Sequence, residues 1–318
     1  MGIKTAACLI PISAFIALLL LVTQDIFPLQ WSPGTKLMSQ VPAAPEGGAG
    51  VQQEGAVITT LITKFSAEQA RFFNSIKRFE PDATVYVSCS TDVAAAIQKA
   101  SVGCCKKLQL EVRLDRYVGL SRAQMERQGI WTKFQMEKAA ILRIALKNER
   151  RRGAWYMDGD MFLLAPMPRI AAEVGLSHHR CSPNVTERVG TYNGGCVFFR
   201  SEVALTAWEQ AAPDARTKCC KDQTSLEDVA WKFKSSFQEV GCSVNVGWWR
   251  IDPESNNGYT QIDRLRCTQG QVQFDGCTIQ SMHYHIGDRQ TELIGPALDK
   301  VVRECNHPVL PILLESYG

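Results

Sequence analysis

The chain opens on an uninterrupted run of uncharged residues, Thr5 to Gln24, whose centre from Phe15 to Val22 is strongly apolar. Twenty residues at ~1.5 Å each reach across a bilayer core of ~30 Å. Lys4 and the free amine precede the run and Asp25 is the first charge after it, so the positive-inside bias predicts a cytoplasmic tip and signal-anchor helix over 1–24. A cleaved signal peptide is the rival, but no A-x-A site follows Val22. From 25 to 55 no apolar period survives. Pro28, Pro33, Pro42 and Pro45 alternate with Gly47, Gly48, Gly50 and Gly55, the composition of a flexible stem.

From residue 56 to 318 the pattern alternates between two periods, which predicts one globular domain. Ala56–Ile62 is short and β-branched, a buried strand. Ser66 followed by Gln69 reads as a capping box opening a helix that runs to about Phe79. Thr84–Ser88 is a second strand, Asp92–Ala100 a second helix and Leu108–Leu114 a third strand. A long helix is predicted over 132–148, with Phe134, Ile141, Ile144 and Ala145 on one face. It ends in Arg150, Arg151, Arg152 and Gly153, ordinary chemistry for a helix C-terminus. Ala154–Met157 is the fourth strand, and Gly195–Phe199 and Gln280–His285 are later candidates. Repeated βα units of this kind imply an α/β fold with a mostly parallel central sheet.

Charge changes little: 35 Lys+Arg against 32 Asp+Glu gives +3, with no basic stripe to support nucleic-acid binding. Cysteine changes more. The chain has 12, none in a C-x-x-C pair, which disfavours zinc and points to disulfides in an oxidising compartment. Cys8 falls in the apolar run. The adjacent pairs Cys104-Cys105 and Cys219-Cys220 are expected to reach distant partners. Asn184-Val185-Thr186 is a glycosylation sequon in a Pro-containing loop, usable if that loop is lumenal.

The chemistry gathers at the end of the fourth strand. Asp158-Gly159-Asp160 places two carboxylates inside the apolar stretch Trp155–Leu163. Carboxylates held that close repel unless a cation lies between them. Mg²⁺ and Mn²⁺ take such oxygen ligands together with substrate phosphates, and open α/β sheets bind ligands at the carboxyl ends of their strands. Phe162 occupies the position where an EF-hand loop needs an oxygen, which excludes that motif. The plain alternative is a solvated Asp-Gly-Asp turn, against which the flanking aromatic residues argue.

These residues resemble the D-x-D region of nucleotide-sugar-dependent glycosyltransferases of the GT-A (Rossmann-like) fold. Three later segments match the glycogenin-like and bacterial galactosyltransferase-like group in the same order. Thr191–Phe199, with Asn193-Gly194-Gly195, resembles its F-N-x-G segment. Asp222-Gln223-Thr224-Ser225-Leu226 resembles D-Q-x-x-L, and Ser281–Gly287 resembles the late strand that supplies a His ligand. The resemblance spans about Val57 to Gly287. The chain departs from it in the residue added between His283 and Gly287, in lacking the Lys-Pro-Trp that follows, and in Gly194 at a position that is more often Ala or Thr.

The resemblance implies a metal, Mn²⁺ or Mg²⁺, held by Asp158, Asp160 and His283 (or His285) and bridging the diphosphate of a nucleotide-sugar donor. It implies catalytic positions at Asn193, Asp222 and Gln223, and donor contacts at Thr59, Thr60, Lys138, Asp158 and Gly194. It also implies transfer of a hexose or pentose to a hydroxyl of a glycan or glycoprotein, with a lean to retention of configuration. A type II membrane protein of the Golgi or ER, lumenal from the stem onward, is the matching plan. Trp208, Trp231, Trp248 and Trp249 are candidates for a sugar-stacking platform, with core packing as their alternative. Two rivals stand beside this reading. A glycoside hydrolase also uses paired carboxylates, but from two sides of the sugar; a membrane-anchored sugar-binding scaffold would keep the fold without turnover.

Overall fold

The computed structural model describes residues 55–308, apart from 151, 181–182, 216–219, 252–260 and 285–293. The expected anchor helix, nearly all of the stem and His285 therefore lie outside the described residues. No helix among the described residues is long and apolar enough to cross a membrane.

Strand β1 (Val57–Ile62) alternates its side chains between two faces: Ile58 and Ile62 join one apolar cluster and Val57 another. Helix α1 (Ala67–Phe79) follows, and the predicted capping box is present: Gln69 accepts from the Ser66 amide at 2.9 Å. It covers the first face with Phe72, Phe73 and Ile76. Next come β2 (Thr84–Cys89), α2 (Thr91–Ala100) and β3 (Lys107–Val112). The predicted 132–148 helix is divided at Met136. Short helices α3 (Arg122–Arg127) and α4 (Trp131–Gln135) precede α5 (Glu137–Asn148). Ile141 and Ala145 of α5 pack on the second face of the sheet, with Ile144 partly buried beside them. Phe134 instead joins a small satellite cluster around Leu114, Tyr117 and Met125.

Strand β4 (Ala154–Met157) completes the parallel half, in the order β3-β2-β1-β4. The chain then leaves this sheet for β5 (Met161–Leu163) and returns through β6 (Val174–His178), α6 (Pro183–Val189) and β7 (Tyr192–Phe199). The sequon, expected in a loop, sits on α6 with Asn184 exposed. β7 pairs antiparallel with both β4 and β6, and β8 (Phe237–Val240) closes the seven-stranded sheet parallel to β6. The sheet is mostly parallel as expected, with β7 alone running against the rest. Between β7 and β8 lie α7 (Glu202–Ala211), α8 (Lys221–Thr224) and α9 (Leu226–Lys232).

A second, smaller layer follows. β9 (Val246–Gly247), a meander of β10 (Leu265–Thr268), β11 (Gln271–Phe274) and β12 (Cys277–Thr278), β13 (Ser281–His283) and α10 (Ile294–Glu304) share an apolar cluster with Phe162, Val272, Met282 and Val302. β13 pairs antiparallel with β5 and parallel with β9. Disulfides Cys242–Cys277 and Cys267–Cys305 tie this layer together. Cys104 and Cys105 do not reach distant partners: both are free thiols, and their Sγ atoms face each other at 2.9 Å in the loop before β3.

Candidate active site

Asp158 and Asp160 do not share one strand face. Asp158 ends the large sheet, Asp160 begins β5 of the small one, and a turn closed by Met161 N–H to Asp158 C=O at 3.0 Å joins them. Gln69 of α1 donates to the Gly159 carbonyl at 3.3 Å and holds the turn from below. Because β5 pairs with β13, register places His283 opposite Met161, next to Asp160. His283 Nε2 lies 3.0 Å from Asp160 Oδ1 and 3.9 Å from Asp158 Oδ2. Ligand atoms of Asp158, Asp160 and His283 fall within 4.8 Å of one another.

β7 crosses behind this triad. Gly195 C=O accepts from the Asp158 amide at 2.8 Å. A Cβ on Gly195 would stand 2.5 Å from Asp158 Oδ2 and 2.6 Å from His283 Cε1, so the strand must be bare here for the ligands to converge. Gly194 is bare for a similar reason, with Asp222 Oδ2 2.7 Å from the place of its missing Cβ.

Asp222 and Gln223 come in on the one-turn helix α8, fixed by the Trp208 indole N–H donating to Asp222 C=O at 2.8 Å. The buried Asp222 carboxylate is engaged on both oxygens: Gln135 Nε2 donates to one at 2.5 Å and Lys138 Nζ to the other at 2.9 Å. Lys138 also reaches the Gly194 carbonyl at 3.2 Å and lies 3.4 Å from Asp158 Oδ1. Burial alone would lower its pKa, but Asp158 and Asp222 outweigh it and hold the ammonium above the usual lysine value. Tyr156, two residues before Asp158 on β4, donates to Asp158 Oδ1 at 2.6 Å. Burial, then Asp158, push its phenol well above the usual range, so it stays a donor.

A chain of amides links these groups. Gln223 Oε1 accepts from the Gly194 amide at 3.2 Å and from Asn193 Nδ2 at 3.1 Å. The second Asn193 N–H meets His179 Nε2 at 2.9 Å, while His179 Nδ1 faces the Gly190 carbonyl at 2.9 Å. Burial holds the His179 imidazole down at about 4, so it is neutral in any ordinary buffer.

The cleft in front of these residues has a volume of about 630 Å³. Asp158, Asp160, His283, Lys138, Asn193, Asp222 and Gln223 all line it, and Trp131, Phe134, Trp248 and Trp249 form aromatic walls. Four segments distant in sequence thus line one cleft. Thr59 and Thr60 stand apart from the cleft: both are fully buried within β1, where Thr59 donates to the Trp155 carbonyl at 3.0 Å. Of the four candidate tryptophans, Trp208 is core, Trp231 is exposed, and Trp248 and Trp249 line the cleft. Sequence reasoning missed Tyr156, Gln135, Trp131, His179 and Asn245. Tyr156 was within reach, since i and i+2 of a strand point the same way; the others carry no local signal.

The donor set suits a hard or borderline divalent cation. Carboxylate oxygens and one imidazole nitrogen converge, and over Asp158, Asp160, Asp222 and Lys138 the charges sum to an excess of two negatives.

By sequence the chain matches no family model and no curated protein. Among solved structures it is similar to mouse xyloside xylosyltransferase 1, with 13% identity over 73% of this chain and 98% of that one and a TM-score of 0.46. It is also similar to the bifunctional glycosyltransferase WbbM, at 10% identity, 85% of this chain and 53% of that one, TM-score 0.48. The glycosyltransferase GlyE of Streptococcus pneumoniae gives 11% identity, 83% of this chain and 64% of that one, TM-score 0.43.

Proposed function

We propose that the domain is a metal-dependent glycosyltransferase that moves a hexose or pentose from a nucleotide-diphosphate sugar to a hydroxyl of a glycan or glycoprotein. The observation that carries this reading is the convergence of Asp158, Asp160 and His283 in a cleft that Asn193, Asp222 and Gln223 also line. Asp158, Asp160 and His283 would hold Mn²⁺ or Mg²⁺, which supplies electrostatic stabilisation of the charge that grows on a diphosphate leaving group. Lys138, kept cationic between two carboxylates, adds a fixed positive charge beside the same place. Trp248, partly exposed in the cleft, would offer a ring face to a sugar, whereas Trp249 is buried against His179 and His283.

The reading favours retention of configuration. An inverting transfer needs a carboxylate to take the acceptor proton. Among the described residues the carboxylates lining the cleft are Asp158, Asp160 and Asp222. The first two belong to the cation set, and both oxygens of Asp222 are occupied by Gln135 and Lys138. With no carboxylate among the described residues left for that role, the acceptor O–H would pass its proton to the departing diphosphate on the same face, as the C1–O(phosphate) bond breaks and the new C1–O bond forms. Full engagement of Asp222 also speaks against a hydrolase, which needs one carboxyl group to donate a proton to the glycosidic oxygen.

We place the domain on the lumenal side of the Golgi or ER membrane, tethered by the apolar run at 5–24 in type II orientation. Two disulfides in the C-terminal layer support an oxidising compartment.

The test uses the full chain from a secretory host, incubated with a panel of nucleotide sugars with and without Mn²⁺, with free nucleoside diphosphate as the readout. Cation-dependent release from one donor is expected, abolished in Asp158→Ala and Asp160→Ala. Folded protein that neither releases diphosphate nor binds any donor by calorimetry would replace this reading with the scaffold one.

A further inference from the structure

Asn245 has no part in the motifs, yet it sits at the centre of the buried polar network behind the cleft. It is fully buried and holds a left-handed backbone, φ +56°, a conformation Asn tolerates better than other side chains. Its main-chain N–H donates to Ser281 Oγ at 2.9 Å, which anchors it to the start of β13.

The direction of every hydrogen bond around it is set by backbone groups. The Gly195 amide can only donate, and it does so to Asn193 Oδ1 at 2.8 Å, which identifies that atom as the oxygen. The same oxygen lies 3.0 Å from one end of the Asn245 amide, which must therefore be the nitrogen. The other hydrogen of that nitrogen goes to Ser177 Oγ at 2.8 Å, whose own hydroxyl donates to the Cys196 carbonyl at 3.0 Å. What Asn245 has left is its oxygen, and that oxygen faces His283 Nδ1 at 3.1 Å. A carbonyl-type oxygen only accepts, so His283 Nδ1 carries a proton. Its Nε2 faces Asp160 Oδ1 at 3.0 Å and Asp158 Oδ2 at 3.9 Å, the side on which a cation would meet its lone pair.

We propose that Asn245 is a positioning residue that holds His283 through its Nδ1–H, turning Nε2 toward Asp158 and Asp160, where a cation would bind. The inference rests on the metal-dependent reading of the site. The order of the amides matters: reversal of Asn245 would set its nitrogen against His283 Nδ1 and strip two acceptors of their donor. The network also explains why Asn193 belongs to the site. Both of its N–H groups and both of its oxygen lone pairs are used, to Gln223, His179, Gly195 and Asn245. Asn193 thus passes the orientation set at the Gly195 amide to the histidine of another sheet. Outer partners of this kind tune a ligand without touching the ion.

The first measurement needs neither cation nor donor. The chain holds five histidines, so two-bond ¹H–¹⁵N spectra of ¹⁵N-histidine-labelled, cation-free protein resolve each ring, with His283→Gln to assign the signal. His283 is expected to carry a proton on Nδ1; a ring protonated on Nε2 alone in the wild-type protein overturns the proposal. The second measurement is Mn²⁺ affinity by electron paramagnetic resonance. Asn245→Gly keeps the left-handed backbone and deletes the amide, and it is expected to weaken binding about 10- to 100-fold with loss of the single tautomer. Asn245→Asp retains the acceptor and is expected to stay closer to wild type. Unchanged Mn²⁺ affinity in Asn245→Gly overturns the proposal even where the tautomer is as stated. A wild-type protein with the stated tautomer and no Mn²⁺ binding would overturn both this inference and the metal-dependent reading, whereas Mn²⁺ binding without turnover overturns the transferase alone.

Discussion

Gly195 has no side chain to contribute, yet three groups of the site depend on it. Its amide orients Asn193, its carbonyl receives the Asp158 amide, and its bare α-carbon leaves room for Asp158 and His283. An added methyl would stand within 2.7 Å of the Asn193 oxygen as well, so the neighbours must move apart. Gly195→Ala is therefore expected to cost about 1–3 kcal/mol of stability, the range for overpacking, and to weaken Mn²⁺ binding more than tenfold. The comparison variant is Gly175→Ala, whose methyl would meet Ile170 and Phe198 at 3.2 Å, away from the ligands. Equal Mn²⁺ affinities in calorimetry would show that Gly195 matters only to packing. At this scale the sequence is legible where residue types are unusual for their surroundings, as with Asp158 and Asp160 inside an apolar run. It is silent on Asn245 and His179, whose role comes from which backbone group each one faces across the fold.

At the scale of elements, the βα alternation could be read through β4 because each unit there is local and one period follows another. The divided helix at Met136 was missed because α4 and α5 are both helical, and nothing in their composition marks the change of packing partner. Phe134 changes partner there because α4 turns toward Leu114 and Tyr117 instead of the sheet. The C-terminal layer was harder still: its strands are two to four residues long and their apolar pattern has no room to repeat. Disulfides compensate for that thin core. Cys267–Cys305 closes a separation of 38 residues and joins β10 to the end of α10, which buries Leu298 and Val302 in the shared cluster. A loop of that size is worth about 4 kcal/mol in the chain-entropy model. The Cys267→Ser, Cys305→Ser double variant is expected to release α10 first. Hydrogen exchange would then show faster amides in α10 and β10, with β1, β2 and β4 still protected. Uniform loss of protection across both layers would mean that the two unfold as one unit.

On the scale of the whole molecule, the cation position falls on the seam between the two layers. Asp158 follows β4 of the seven-stranded sheet, Asp160 precedes β5, and His283 arrives on β13 of the smaller sheet. A cation there would do more than neutralise a phosphate, because it would add a link between layers that also meet through β5, Phe162 and the hydrogen bonds of Asn245, Trp249 and Arg250 to β6 and β7 and the loop after β6. Without it, two carboxylates stand close together and oppose that contact. The site therefore has opposite consequences for the free and loaded protein. In the absence of cations, Asp160→Asn is expected to raise Tm, since it removes a like charge from beside Asp158. With Mn²⁺ at a hundred times its Kd, the wild-type domain gains about 2.7 kcal/mol. Each kcal/mol moves Tm by about 2–4 °C for a domain of this size, so a rise of several degrees is expected. Asp160→Asn loses that rise, and the two melting curves cross as Mn²⁺ is added. A variant that melts below wild type in the absence of cations would show that Asp160 is held by its protein partners alone, and that the seam needs no ion to close.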